Sequence, residues 1–149
     1  MSEALTATEA KTILIVEDNE LNMRLFNDLL QANGYHTLQS ITGQDAVDLV
    51  EAHHPDLILM DIRLPEISGI EVTRRIKERE HLRHIPVVAV TASALKGDEQ
   101  KFINEGCDAF IAKPIALKSF LEVVAQLLGL APKAKALGKA GAQDVRRST

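Results

Sequence analysis

At 149 residues, 46% hydrophobic and 26% charged, the chain suits one ordinary domain with a real core. Only 3% of residues are aromatic and none is Trp, which argues against modules that stack nucleic-acid bases. The net charge is −4, and residues 131–149 carry Lys133, Lys135, Lys139, Arg146 and Arg147 against Asp144 alone. The body is therefore more acidic than the whole, and direct nucleic-acid binding is not expected. A lone cysteine, Cys107, excludes an internal disulfide and fits a reducing compartment. The first ten residues have no basic start and no apolar run, and no segment approaches the length of a membrane span. A cytoplasmic protein without membrane contact is the expectation.

Residues 1–10 read as a flexible lead, followed by a first strand from about Lys11 to Val16. Asp18 or Asn19 can cap a helix whose apolar stripe is Leu21, Leu25, Phe26, Leu29 and Leu30, ended by Asn33-Gly34. Residues 35–40 are mixed in character and suit an edge strand. Thr42-Gly43-Gln44-Asp45 resembles a capping box for a second helix with Ala46, Val47 and Val50 on its apolar face, closed by Pro55.

The run Leu57-Ile58-Leu59-Met60 reads as a strand buried on both faces, and it ends in Asp61. Ser68-Gly69-Ile70-Glu71 then caps a third helix reaching about Arg79. A fourth strand, Val87 to Val90, ends in Thr91, and a fourth helix runs from about Leu95 to Asn104. Gly106 stops it. Ala109 to Ala112 forms a fifth strand, ending in Lys113-Pro114. The last helix carries Leu117, Phe120, Leu121, Val124, Leu127 and Leu128 at helical spacing.

Strands alternating with helices five times imply a doubly wound parallel α/β sheet of flavodoxin-like topology, with right-handed crossovers. With the weak second strand at the edge, the order becomes 2-1-3-4-5. The ends of strands one and three then meet at the switch point, where such sheets bind ligands. Residues 11–129 make this domain. Residues 130–149, rich in Ala, Lys and Gly, have no stripe to bury and read as a disordered basic tail.

Four strands thus deliver reactive groups to one sheet edge: Glu17-Asp18, Asp61, Thr91 and Lys113. Three carboxylates in one small site repel each other, at about 4 Å by roughly 1 kcal/mol per pair in water and several times more near a protein surface. A hard cation among them removes the conflict, and oxygen donors at a wet edge suit Mg²⁺. Such a site can hold a phosphoryl group and leave a carboxylate free to attack it, with Thr91 and Lys113 aimed at its oxygens. Asp61, alone at the end of a central strand, is the candidate nucleophile. A cis bond at Lys113-Pro114, costing on the order of 1 kcal/mol, would turn the chain and aim the ammonium inward.

Each residue also has a plain reading. Asp18 can simply cap a helix, Lys113 can be a solvated charge, and Thr91 fits a strand end by propensity. Their coincidence after four of five strands is what favours a site. Cys107 reads as a turn or core residue, and His53 and His54 as solvated.

The motifs Val16-Glu17-Asp18-Asn19, Leu57-Ile58-Leu59-Met60-Asp61-Ile62-Arg63-Leu64-Pro65, Thr91-Ala92 and Lys113-Pro114 resemble the receiver domain of two-component response regulators. The likeness extends to single-domain DivK-type regulators through Glu20-Leu21-Asn22-Met23, Glu66-Ile67-Ser68-Gly69 and His84-Ile85-Pro86. The resemblance implies that Asp61 takes a phosphoryl group from a phosphohistidine on a histidine kinase or phosphotransfer protein. It implies that Glu17, Asp18, Asp61 and the carbonyl of Arg63 hold or support Mg²⁺, and that Thr91 and Lys113 contact the phosphoryl group. Partners would meet the first helix and the face built from the fourth helix, fifth strand and fifth helix, with Phe110, Ala92 and Leu95 on the switched surface. Phe110 stands where many receivers have Tyr, so no ring hydroxyl can bond in either state. Arg63 is placed to affect the lifetime of the phosphorylated form. The implied role is a switch in a bacterial cell-cycle and division phosphorelay, with self-catalysed phosphotransfer and slow dephosphorylation but no enzymatic turnover.

The alternatives are a receiver-shaped adaptor that works unphosphorylated, an aspartyl-phosphate hydrolase, and a flavin or nucleotide binder. The hydrolase would want an acid two residues after Asp61, where Arg63 stands. The nucleotide binder would want a Gly- or Ser/Thr-rich loop where Glu17-Asp18 stands.

Overall fold

The computed structural model describes residues 11–91 and 101–129. Five strands form one parallel sheet: β1 (Thr12–Val16), β2 (His36–Ser40), β3 (Leu57–Asp61), β4 (Val87–Thr91) and β5 (Ala109–Ala112), in the order β2-β1-β3-β4-β5. The helices are α1 (Glu20–Ala32), α2 (Ala46–His53), α3 (Gly69–Lys77), α4 (helical at 101–104 within the described residues) and α5 (Leu117–Leu127). The start expected for α4 near Leu95, the lead and the basic tail lie outside the described residues.

Alternation along each strand divides the core into two layers. Ile13, Ile15, Leu57, Leu59, Val88, Val90, Ala109 and Ile111 face α1 and α5, meeting Met23, Phe26 and Leu30 on one helix and Phe120, Val123 and Val124 on the other. Leu14, Val16, Ile58, Met60, Val87 and Ala89 face the opposite way, toward Ala46, Val50, Val72, Ile76 and Phe102. Burial on both faces explains why β1, β3 and β4 read as unbroken apolar runs. Each fully buried Leu or Ile in these runs contributes about 1.5–3 kcal/mol. The outer strand β2 has the most exposed pattern of the five, consistent with an edge position.

Two local expectations are corrected. On α1 the buried stripe is Met23, Phe26 and Leu30, whereas Leu21 is 76% exposed and Leu25 is 38% exposed. Of the expected stripe, Phe26 and Leu30 are the residues fully turned inward. Phe26 packs on Phe120 of α5, with ring centroids 5.3 Å apart, and that contact selects the face. The second helix begins at Ala46, not at Thr42. Gly43 adopts φ +85° where the chain passes Leu64 and Ile67, so Thr42 caps only a turn, its hydroxyl accepting from the Gln44 N–H. Asp45 accepts instead from the Ser40 hydroxyl at 2.6 Å. Before α3 the box is half made: Ser68 Oγ accepts from the Ile70 N–H, while Glu71 pairs with Arg74 and Arg75.

Candidate functional site: an acidic notch at the carboxyl edge

The site is built where β1, β3, β4 and β5 leave the core. β1 runs into Glu17, whose backbone N–H donates to the Ser40 carbonyl and whose side chain is 1% exposed. Asp18 follows and stays exposed. Of the two residues able to cap α1, Asn19 does so: its Oδ1 accepts from the Asn22 N–H at 2.9 Å. Asp18 is thereby left for the notch. One carboxylate oxygen from each of Glu17, Asp18 and Asp61 lies within 4.8 Å of the others.

Glu17 is held by one oxygen only. Its Oε2 accepts from the Asn19 N–H at 3.2 Å and from Asn22 Nδ2 at 3.5 Å. Its Oε1 is buried with no hydrogen-bond partner among the described residues, and Lys113 Nζ lies 3.5 Å from it. Asp61, 4% exposed, accepts from the Arg63 N–H at 3.0 Å through Oδ1, and its Oδ2 is 3.7 Å from Lys113 Nζ. Burial, and then the neighbouring charge of Glu17, push the Asp61 carboxyl up to about 7, while the Arg63 N–H and the Lys113 ammonium pull the other way.

Thr91, 5% exposed, ends β4, and its carbonyl accepts from the Lys113 N–H at 2.8 Å, which brings the ammonium-bearing loop to the same edge. The Lys113–Pro114 bond is cis. The Arg63 side chain is exposed, and Phe110 is half-buried against the α2/α3/α4 layer. Ala92 and Leu95 lie outside the described residues. The structure thus gathers Glu17, Asp18, Asp61, Thr91 and Lys113 at one edge, as their positions after strands imply.

Sequence reasoning missed two supports. Asn22 holds Glu17 from the first turn of α1; only its spacing from the acid pair hints at this. Gly69 starts α3 so close beneath Asp61 that a Cβ there would run into the Asp61 carbonyl, and its N–H donates to the Ile62 carbonyl at 3.0 Å. Elsewhere, Cys107 is the core residue expected of it. It is 3% exposed, and burial pushes its thiol up to about 12. His53 and His54 are exposed.

The donor set fits a hard divalent cation. Three carboxylates converge beside solvent, one buried oxygen lacks a hydrogen bond, and burial, then the charge of Glu17, pushes the Asp61 carboxyl up to about 7. Mg²⁺ binds through such oxygens while keeping several waters.

The fold and the edge together define a doubly wound protein with an acidic notch suited to a cation at its switch point. A family model described as the response regulator receiver domain matches residues 13–125, and the chain belongs to that family. The chain is 57% identical over 119 residues to the polar-differentiation response regulator DivK of Brucella ovis, covering 80% of this chain and 97% of the relative. The DivK of Brucella anthropi is 56% identical over 119 residues with the same coverage. Among solved structures, the receiver domain of a sensor histidine kinase from Pseudomonas aeruginosa has magnesium coordinated in its active site cleft. It is 34% identical, with a TM-score of 0.74, over 80% of this chain and 98% of that one. A receiver domain of a signal transduction histidine kinase from Syntrophus aciditrophicus is 32% identical with a TM-score of 0.75, over 83% and 94%. Among the described residues no helix is long and apolar enough to cross a membrane.

Proposed function

We propose that this receiver is a phospho-accepting switch whose acceptor is Asp61. The carrying observation is the placement of the Asp61 carboxylate within one small notch with Glu17 and Asp18, and 3.7 Å from Lys113 Nζ. Glu17, Asp18 and Asp61, with the Arg63 carbonyl, would hold Mg²⁺, which when bound neutralises phosphoryl oxygens beside the acids. The donor is a phosphohistidine on a histidine kinase or phosphotransfer protein. A carboxylate oxygen of Asp61 forms the new P–O bond as the P–N bond to the donor imidazole breaks, and that imidazole takes up a proton from solvent. Lys113 and Thr91 contact the phosphoryl oxygens, and their shift favours one of two packings of the surface around Phe110.

The protein turns over no substrate beyond its own acquisition and slow loss of phosphate. Its output passes to protein partners in the cytoplasm, by contacts at α1 and at the α4-β5-α5 surface. The likeness to polar-differentiation regulators supports a role in a cell-cycle and division phosphorelay.

The test is incubation with Mg²⁺ and a small phosphodonor, followed by mass-spectrometric mapping. One phosphate on Asp61, lost in Asp61→Ala, is the expected result. No modification would favour an unphosphorylated adaptor, and many turnovers of free phosphate would favour a hydrolase.

A further inference from the structure

All five histidines of the chain lie at the opposite pole from the notch. His36 begins β2, His53 and His54 precede β3, and His81 and His84 precede β4, so all sit at the amino edge of the parallel sheet. Two of them meet there. The rings of His54 and His81 have centroids 6.2 Å apart and are tilted by 53°. His54 closes α2 at φ 46°, the sole positive φ of a non-glycine residue among the described residues. That left-handed turn carries the exposed ring away from the helix and out beside the loop between α3 and β4. Glu51, one turn back on α2, accepts through Oε1 from His81 Nε2 at 2.8 Å and through Oε2 from Arg79 at 2.6 Å.

We propose that His54 and His81 form a second metal site, for a divalent transition ion such as Zn²⁺ or Ni²⁺, oriented by Glu51. The chemistry is distinct from that of the notch: imidazole nitrogens select borderline ions, whereas carboxylates at the other pole select hard ones. Glu51 acts in the way carboxylates act behind metal-bound histidines. By taking the Nε2 proton of His81 it fixes the tautomer that leaves the Nδ1 lone pair free. A tetrahedral ion with bonds of about 2.0–2.1 Å places the centres of two ligating rings roughly 5 Å apart. The present separation of 6.2 Å is about an ångström longer than that, and both rings are exposed. Water supplies the remaining ligands. With two nitrogen donors, and with Arg79 already paired to Glu51, the ion is held reversibly. It staples the end of α2 to the loop that leads into β4.

The test is a Zn²⁺ titration of the full chain in saturating Mg²⁺, read from the histidine ring ¹H–¹³C resonances and from Tm. The expected result is that His54 and His81 shift together at one equivalent, while His36 is unmoved, and that Tm rises with Zn²⁺. His54→Ala and His81→Ala should each abolish the shift of the other ring, and Glu51→Gln should weaken binding about tenfold or more. Shifts at a single ring, unchanged affinity in His54→Ala, or Zn²⁺ uptake confined to the acidic notch would overturn the site.

Discussion

The two poles of the sheet handle charge in opposite ways. At the amino edge, Lys77 Nζ donates to the carbonyls of Arg83 and Ile85 at 3.0 and 2.8 Å and to Asp108 Oδ2 at 3.1 Å, and that same oxygen accepts from the Val87 N–H at 2.8 Å. Every group in this tie has a partner at hydrogen-bond distance, and the tie joins α3, the following loop, β4 and the approach to β5. At the carboxyl edge, Lys113 stands 3.5 and 3.7 Å from two buried acids, and one of their oxygens has no hydrogen bond. The satisfied cluster holds the fold. The under-satisfied one leaves electrostatic demand unmet, as the proposed phospho-accepting role requires.

That contrast can be tested in order of expected effect. Gly69→Ala places a methyl against the Asp61 carbonyl and should cost about 3 kcal/mol in denaturant unfolding while also slowing phosphorylation. Lys77→Met strands two carbonyls and Asp108 and should cost about 2 kcal/mol, yet leave Asp61 phosphorylation unchanged. If it impairs phosphorylation at equal folded fraction, the two poles are not separable.

The notch should behave in the reverse sense. A carboxyl raised from 3.8 to about 7 binds its proton more tightly in the folded chain. Its contribution to stability is therefore full below about pH 4 and is lost as the pH rises through about 7. In Mg²⁺-free buffer, Asp61→Asn should be more stable than wild type by about 1–2 kcal/mol at pH 8, with the difference gone near pH 4. Equal urea midpoints at pH 8 would contradict the reading. Asn22→Ala, which leaves Glu17 Oε2 with the Asn19 N–H as its remaining donor, should weaken Mg²⁺ affinity about threefold, on the order of 0.5–1 kcal/mol, measurable by calorimetry. The last effect is kinetic, with no expected change in stability: Arg63→Ala should change the hydrolysis rate of the phosphorylated form about twofold, and an unchanged rate would remove Arg63 from the account.

Much of this was legible in one dimension. Runs such as Leu57-Ile58-Leu59-Met60 announce central parallel strands because only burial on both faces tolerates four large apolar residues in succession, and the weaker residues 36–40 announce the edge. With strand order given, Glu17, Asp18, Asp61, Thr91 and Lys113 had to emerge together, since parallel strands all end at the same side. What stayed hidden depends on partners distant in sequence. Leu21 and Leu25 share an apolar spacing with Phe26, and only the Phe120 ring across the layer decides which stripe turns inward. Thr42 can cap a helix as well as a turn, and Gly43 beside Leu64 and Ile67 settles it for the turn.

By itself, the sequence determined the periodicities, the strand order and the identity of the groups at the edge, because these follow from spacing and from the geometry of parallel crossovers. Tertiary structure alone decided which oxygen of Glu17 is held and which left without a bond, how far burial raises Asp61, and that Lys77 and Glu51 tie the other pole. Hydrogen bonds and desolvation depend on separations of a few tenths of an ångström between residues far apart in the chain, and no local pattern encodes them.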